Sequence, residues 1–374
     1  MKRSIALIFA LLLLTILPVV GAELAPAPEG TFTMVVMPDT QYYRGRGTKS
    51  QPDSTDDVTN PTFDALSTWV VENLEAQRVV FVSHVGDIVD KNNHDQWRIA
   101  RQCMDRLHGV IPYGISVGNH DMTGEGDSSL FQEYFGAERF EGFDWYGGSY
   151  AGSPEFGPSH SGNNANSYQL ISALGVDLLF LHLECNAPDD VLAWASGVLE
   201  AHPDRRAIVV THMGLGPLAV PTTAEGWYDD PKGRMLWNKI HKERGNTPQQ
   251  LWEEFTSKHP NIILVLHGDQ SRTQAIRLSS EGEHGNTVHE IMFDCGGGRN
   301  VRLLRFTPAL DQVEAITWDI QEACLFEGTI HVEDRDQWQF TMECDLGAED
   351  LSASLPTLQR PHPALRWPGR LMFR

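Results

Sequence analysis

The sequence predicts an α/β protein, and three observations carry that reading. β-Branched apolar runs, Val79–Val85 above all, read as buried parallel strands. Segments with helix-start signals lie between such runs, which is the βαβ arrangement. Five strands also end in Asp, Asn, His or Gln at the carboxyl tip. These tips are Met37-Pro38-Asp39-Thr40-Gln41, Val85-Gly86-Asp87-Ile88-Val89-Asp90, Val117-Gly118-Asn119-His120-Asp121, Val210-Thr211-His212 and Leu266-His267-Gly268-Asp269. Open α/β sheets gather ligands at the carboxyl ends of their strands. A single such Asp is an ordinary turn former; five polar tips together read as a metal-site constellation.

Taken in order, Thr31–Met37 is the first strand, and a polar loop from Gln41 to Thr59 follows over its end. Asn60-Pro61, a cap followed by a first-position proline, starts a helix to about Ala76. The Val79–Val85 strand closes the first βαβ unit. A helix over roughly Asp95–His108 puts Trp97, Ala100, Met104 and Leu107 on one face, with Gly109 as its stop. Val110–Val117 is a third strand. The stretch from Met122 to Ala165 is aromatic and glycine-rich without clear periodicity, and is expected to form the pocket. Its Trp145, Tyr146 and Tyr150 fit either substrate stacking or a small core of the insertion itself.

Asn166–Ile171 and Val176–Leu183 read as a hairpin about Gly175. The helix Asp189–His202 and the strand Ala207–Val210 lead to His212, and Met213–Asn246 is a second irregular insertion. Thr247-Pro248-Gln249-Gln250 is a capping box opening a helix to about Lys258. Ile262–Leu266 delivers His267, Gly268 and Asp269. Val288–Phe293, Val301–Phe306 and Val313–Trp318 are expected as consecutive strands of a second sheet.

Lys2 and Arg3, the apolar run Ile5–Leu14 and the small residues Val20-Gly21-Ala22 read as a signal peptide over residues 1–22. The expected location is therefore secreted or periplasmic, without stable membrane insertion. The domain is expected over 23–320, followed by a hairpin and a basic tail over 321–374. Without Lys2 and Arg3, 27 basic residues face 50 acidic ones, a net charge of −23. Such a surface repels nucleic acid and anionic membranes. Of the five cysteines, Cys324 and Cys344 flank the expected hairpin and are the first choice for a disulfide, whereas Cys103 and Cys185 read as buried thiols.

The polar tips fall in a familiar order. Asp39-x-Gln41, Gly86-Asp87-x-x-Asp90, Gly118-Asn119-His120-Asp121, His212 and Gly268-Asp269 resemble the calcineurin-like metallophosphoesterases, whose pattern is D-x-H, G-D, G-N-H-(E/D), H and G-H-x-H. The similarity runs roughly from Phe32 to Phe306. It implies a four-layer αββα sandwich of two mixed sheets, with two divalent metal ions (Mn, Fe, Mg or Zn) at the strand tips. By the same resemblance Asp87 bridges the metals, Asp39 binds the first, and Asn119 and His212 bind the second. His120 faces the substrate, and Asp90 sets its tautomer. Asn119 also reaches a phosphate oxygen.

Two positions depart from the pattern. Gln41 stands where the family usually has His. In the last motif, one register puts Gly268 on the motif glycine, Asp269 on the first His and Ser271 on the second; the other puts His267 and Asp269 on the two His positions. Either exchange favours harder ions such as Mg²⁺ or Mn²⁺, with the Asp39 metal the weaker of the two. The function expected is a metal-dependent phosphohydrolase acting on phosphate mono- or diesters. Small phosphate esters, nucleotides or phosphoproteins are the expected substrates, and no nucleic-acid scaffold is expected. The alternative is a binding protein on the same sandwich with weakened chemistry.

Overall fold

The structure, a computed structural model, describes residues 23–216, 240–269, 275–294 and 299–347, together with the backbone of 228–230 and 233–235. The expected signal peptide, Ser271 and the basic tail lie outside the described residues.

The chain opens with β1 (Phe32–Met37), α1 (Pro61–Asn73), β2 (Val79–His84), α2 (His94–Asp105) and β3 (Tyr113–Ile115). After α3 (Ser129–Phe135) come β4 (Tyr146–Ser149), β5 (Ser167–Ala173), β6 (Val176–Leu183), α4 (Asp189–Ala201) and β7 (Arg206–Thr211). The ribbon β8 (Tyr228–Asp230) and β9 (Gly233–Met235) precedes α5 (Pro248–Glu254) and β10 (Ile262–His267). The last strands are β11 (Ala275–Glu281), β12 (Thr287–Phe293), β13 (Asn300–Thr307), β14 (Gln312–Asp319), β15 (Cys324–Leu325) and β16 (Phe340–Glu343).

These strands make two mixed sheets. The first runs β15-β14-β13-β1-β2-β3, with β16 also on β14; β1, β2 and β3 are parallel and β13 is antiparallel to β1. The second runs β11-β12-β10-β7-β6-β5-β4, with β6, β7, β10 and β12 parallel. Period-two alternation sorts their side chains into three apolar layers. Val35 and Met37 face Phe63, Leu66 and Val70 of α1. Met34, Val36 and Phe81 meet Phe180, Ile208 and Leu264 between the sheets, where the Phe81 and Phe180 rings stack at 3.8 Å. Leu179, Val209 and Val265 pack outward on Val191, Ala195 and Leu199 of α4 and Leu251 of α5. The result is the expected αββα sandwich.

Local signals survived where they are backbone chemistry. The Asn60 side chain accepts from Phe63 N (3.1 Å) at the start of α1, and Thr247 and Gln250 form the reciprocal capping box of α5. Three expectations are corrected. The last strands are not consecutive in one sheet: β12 extends the second sheet beside β10, whereas β13 pairs with the open edge of β1 in the first. Apolar alternation says which face of a strand is buried, not which strand lies beside it. The third strand shrinks to Tyr113–Ile115, because Pro112 has no N–H to give and Val110 is exposed.

The expected Cys324–Cys344 pairing is also absent; both thiols are free. Cys324 lies opposite Asp319, while Cys344 follows Glu343, which lies opposite Gln312. The two therefore sit at opposite ends of β14, about 23 Å apart at ~3.3 Å per residue, far beyond the ~7 Å limit for a disulfide. β15 and β16 do not pair with each other as a hairpin. Each adds to β14, and the Trp338 side chain between them is fully buried.

Candidate metal centre

All the parallel strands of interest point the same way, so the carboxyl ends of β1, β2, β3, β7 and β10 converge where the two sheets meet. Hydrogen bonds cross this seam. His212 Nδ1 reaches the Val85 carbonyl at 2.9 Å, and Cys185 N donates to the Val117 carbonyl at 2.9 Å. Within the sheets, Thr40 N donates to the Asp87 carbonyl (3.1 Å) and Gly268 N to the His212 carbonyl (2.9 Å).

Asp39, Asp87 and His212 form a buried cluster whose ligand atoms all lie within 4.8 Å of one another. His212 Nε2 stands 3.2 Å from Asp87 Oδ2, 3.7 Å from Asp269 Oδ1 and 3.9 Å from Asp39 Oδ2. With Nδ1 on the Val85 carbonyl, the Nε2 lone pair is turned into the cluster, the tautomer a metal ligand needs. His212 is fully buried, and Asp39, Asp87 and Asn119 are nearly so.

Two backbone features bring the groups this close. Asp87 and Asp269 both adopt left-handed conformations, with φ of 53° and 66°. Asp tolerates this region better than bulkier residues do, and such conformations cluster at functional sites. Gly118 and Gly268 leave room: a Cβ on Gly118 would lie 2.2 Å from Asp87 Oδ1, and one on Gly268 would lie 2.5 Å from Asp39 Oδ1. The Asp121 carboxylate, also fully buried, accepts from Val89 N (3.0 Å), Gly118 N (2.8 Å) and Ile88 N (3.3 Å). It ties the β2 and β3 ends together and is not available as a ligand.

The electrostatics call for positive charge. Burial, then the neighbouring Asp294, pushes the Asp39 carboxyl well up. Burial would also raise Asp87, but His212 beside it and the His120 backbone N–H, 2.9 Å from Asp87 Oδ1, hold it below the usual carboxylate range. Burial would lower the His212 ring, yet Asp87, Asp39 and Asp269 together raise it well above an ordinary histidine. Asp39 Oδ1 and His212 Nε2 have no hydrogen-bond partner despite burial. Orphaned donors of this kind, gathered with like-charged carboxylates, fit a bound divalent cation.

The remaining predicted residues separate clearly. Asp269 joins the cluster and remains partly exposed. His267 does not: its ring faces outward, Nδ1 on the Thr211 carbonyl (3.0 Å) and Nε2 3.7 Å from Glu290. At this strand tip it is Asp269, turned by its left-handed φ of 66°, and not His267 that comes near His212. Gln41 turns its amide nitrogen, not its oxygen, to Asp87 Oδ2. Asn119 lies buried beside the cluster on the β3 tip.

His120 is partly exposed, and its Nδ1 is 2.8 Å from the Asp90 backbone carbonyl. The Asp90 carboxylate is 3.9 Å away and is taken by Lys49. Asp90 thus meets His120 through its backbone carbonyl and not through its carboxylate. Trp145 stacks on Phe143 (5.1 Å) and Tyr146 on Phe140 (5.5 Å), while the Tyr146 and Tyr150 hydroxyls donate to Asn164 and Asp190. Trp145 and Tyr146 thus pack within the insertion, whereas Tyr150 packs on α4, its ring 5.8 Å from Trp194.

Two residues near the centre escaped sequence reasoning. Asp294 follows β12 just as Asp39 follows β1, so an apolar strand ending in Asp was legible there; taking β12 as an ordinary strand of a continuous run hid it. Lys49 carried no signal, being one lysine in a polar loop.

A family model for the calcineurin-like phosphoesterases matches residues 32–272. Among curated proteins, the uncharacterized protein YvnB of Bacillus subtilis (strain 168) is 31% identical over 312 residues, covering 80% of this chain and 21% of that protein. The chain thus spans about a fifth of the length of that relative. Similar solved structures include the NAD nucleotidase of Haemophilus influenzae, with a TM-score of 0.44, 12% identity, and coverage of 74% of this chain and 48% of that one. Another is a 5'-nucleotidase precursor from Thermus thermophilus, with a TM-score of 0.37, 13% identity, and coverage of 86% and 57%. The calcineurin-like phosphoesterase YfkN of Bacillus subtilis gives a TM-score of 0.36 at 9% identity, covering 85% of this chain and 91% of its own. No helix among the described residues is long and apolar enough to cross a membrane.

Proposed function

This chain belongs to the calcineurin-like phosphoesterases, and from that premise we propose that it hydrolyses phosphate mono- or diesters outside the cytoplasm with divalent cations held at the Asp39–Asp87–His212 cluster. The observation that carries the reading is the cluster itself, three buried ligand groups within 4.8 Å, with His120 beside it. Export rests on the leader-like residues 1–22.

Asp87, at the centre of the cluster, would be the main carboxylate holding the cations. Asp39 and His212 flank it, and Asp269 and Asn119 complete the donor set. Cations bound there supply Lewis acidity toward a phosphoryl oxygen and a water acidic enough to act as nucleophile. His120 Nδ1 donates to the Asp90 carbonyl, so Nε2 is the ring nitrogen left for the substrate, and it gives a proton to a leaving alkoxide when the ring is an imidazolium. Its partial exposure, beside carboxylates that are buried, supports a role facing the substrate. Lys49, held on Asp90, adds a positive charge beside His120 that suits an anionic substrate. Small phosphate esters, nucleotides and phosphoproteins all remain substrates of this reading.

One observation favours a second reading, a binding protein with weakened chemistry. The Gln41 amide nitrogen occupies Asp87 Oδ2, so Gln41 becomes a ligand only if the amide turns over. Hydrolysis of p-nitrophenyl phosphate and its bis ester distinguishes the two. The enzyme reading expects Mn²⁺-dependent turnover that Asp87→Asn and His120→Ala abolish. Turnover unchanged in both variants, or absent from metal-loaded wild type, would falsify it.

A further inference from the structure

Away from the cluster, buried polar atoms without hydrogen-bond partners gather at a second point. They are both carboxylate oxygens of Glu184, both ring nitrogens of His241, the Ser161 hydroxyl and the Asn186 amide oxygen. Glu184 and Ser161 are fully buried, and His241 and Asn186 are 3% and 4% exposed. Glu184 follows β6, Ser161 belongs to the first insertion, and His241 comes from the end of the second. Three separate chain segments thus deliver their polar groups to one place.

The packing leaves little freedom there. A Cβ on Gly126 would lie 2.5 Å from His241 Nδ1; one on Gly245 would lie 3.1 Å from His241 Cβ and 3.2 Å from Asn186 Cβ. The Lys242 ammonium meets Glu125 at 2.6 Å, and Asn246 Nδ2 donates to the Ala187 carbonyl at 2.9 Å, so the residues that follow His241 are held against the first insertion and the end of β6. Glu184 Oε1 and His241 Nε2 are 3.9 Å apart. That is too long for a hydrogen bond. It matches two donors of one metal ion, which at metal–ligand distances of about 2.1 Å stand roughly 3–4 Å from each other.

We propose that Glu184 and His241, with the Ser161 hydroxyl, form a separate divalent-cation site, of the Zn²⁺ or Mn²⁺ class, that staples both insertions to the strand ends. The donor set is a carboxylate, an imidazole and a hydroxyl, the chemistry those ions accept. Burial pushes the Glu184 carboxyl up to about 7, against partial relief from Ser161 and Asn166, and pushes the His241 ring down to about 3. Burial thus disfavours charge on both groups; a cation takes the place of the Glu184 proton, which leaves to solvent. A cavity of about 440 Å³ reaches Arg244, Gly245 and Asn246 from outside.

Metal content tests this independently of hydrolysis. Asp87→Asn protein is loaded with Zn²⁺ or Mn²⁺, dialysed and measured by elemental mass spectrometry. One tightly held equivalent is expected, and it should vanish when Glu184→Gln or His241→Ala is added. The same content with and without these second changes overturns the site. Anomalous scattering from wild-type crystals loaded with Zn²⁺ covers the case in which a variant does not fold. A peak between Glu184 and His241 is expected there, and a peak confined to Asp39, Asp87 and His212 overturns the proposal.

Discussion

His120 takes its orientation from the Asp90 carbonyl oxygen, 2.8 Å from Nδ1, while the Asp90 carboxylate, 3.9 Å away, belongs to Lys49. The two halves of Asp90 thus have different tasks. Asp90→Asn keeps the carbonyl and should cost less than about tenfold in kcat, whereas His120→Ala removes the proton donor and should cost ~10²–10⁴-fold. Parallel steady-state kinetics on the two variants decide it. An Asp90→Asn loss as large as that of His120→Ala would restore the carboxylate to the leading role.

Metal retention should follow the cluster. His212→Ala and Asp87→Asn each remove a donor from the centre, so each should weaken binding by at least the roughly 10–100-fold seen when even an orienting partner is lost. His267→Ala, whose ring faces Glu290, should leave the affinity at the centre unchanged. Calorimetric Mn²⁺ titration separates the three. An equal loss in His267→Ala would contradict the outward placement of that ring.

Stability should fall on mild acidification through two buried rings. His182 and His84 lie in the interior between strands, and burial pushes each ring down to about 3 from 6.5. Below pH 6.5 the unfolded chain binds protons that the folded chain refuses, so stability decreases as pH falls from about 6.5 toward about 3. Above 6.5 these rings add no slope. Each ring contributes up to ~1.4 kcal/mol per pH unit in that window. Urea midpoints at pH 7.5, 6 and 5 read the slope, and His182→Gln should flatten it.

Asn60 acts at both ends of one loop: Oδ1 caps α1 at Phe63 N, and Nδ2 donates to the Thr40 carbonyl at 2.6 Å. Asn60→Ala should cost about 1–2 kcal/mol in folding free energy. Because Thr40 N is bonded to the Asp87 carbonyl, metal affinity should fall in the same variant. Chemical denaturation with and without Mn²⁺ checks both effects. A full cost in stability with unchanged affinity would show the loop to be independent of the centre.

The sequence by itself determined an α/β class and the strand tips that carry Asp39, Asp87, Asn119 and His212; the four-layer αββα arrangement followed from the family resemblance those tips carry. It also determined the starts of α1 and α5. Strand burial, capping and turn chemistry are local, written in residues a few positions apart. Tertiary structure alone decided the rest. Strand partners depend on which edges are open, so β13 beside β1 and β12 beside β10 could not be read from three similar apolar runs. Ligand identity depends on which way a side chain faces after the strand ends. Asp269 turns into the centre through a positive φ, and His267, one residue before Gly268, turns away. Glu184 and His241 lie 57 positions apart in the sequence, and only tertiary packing brings them to 3.9 Å.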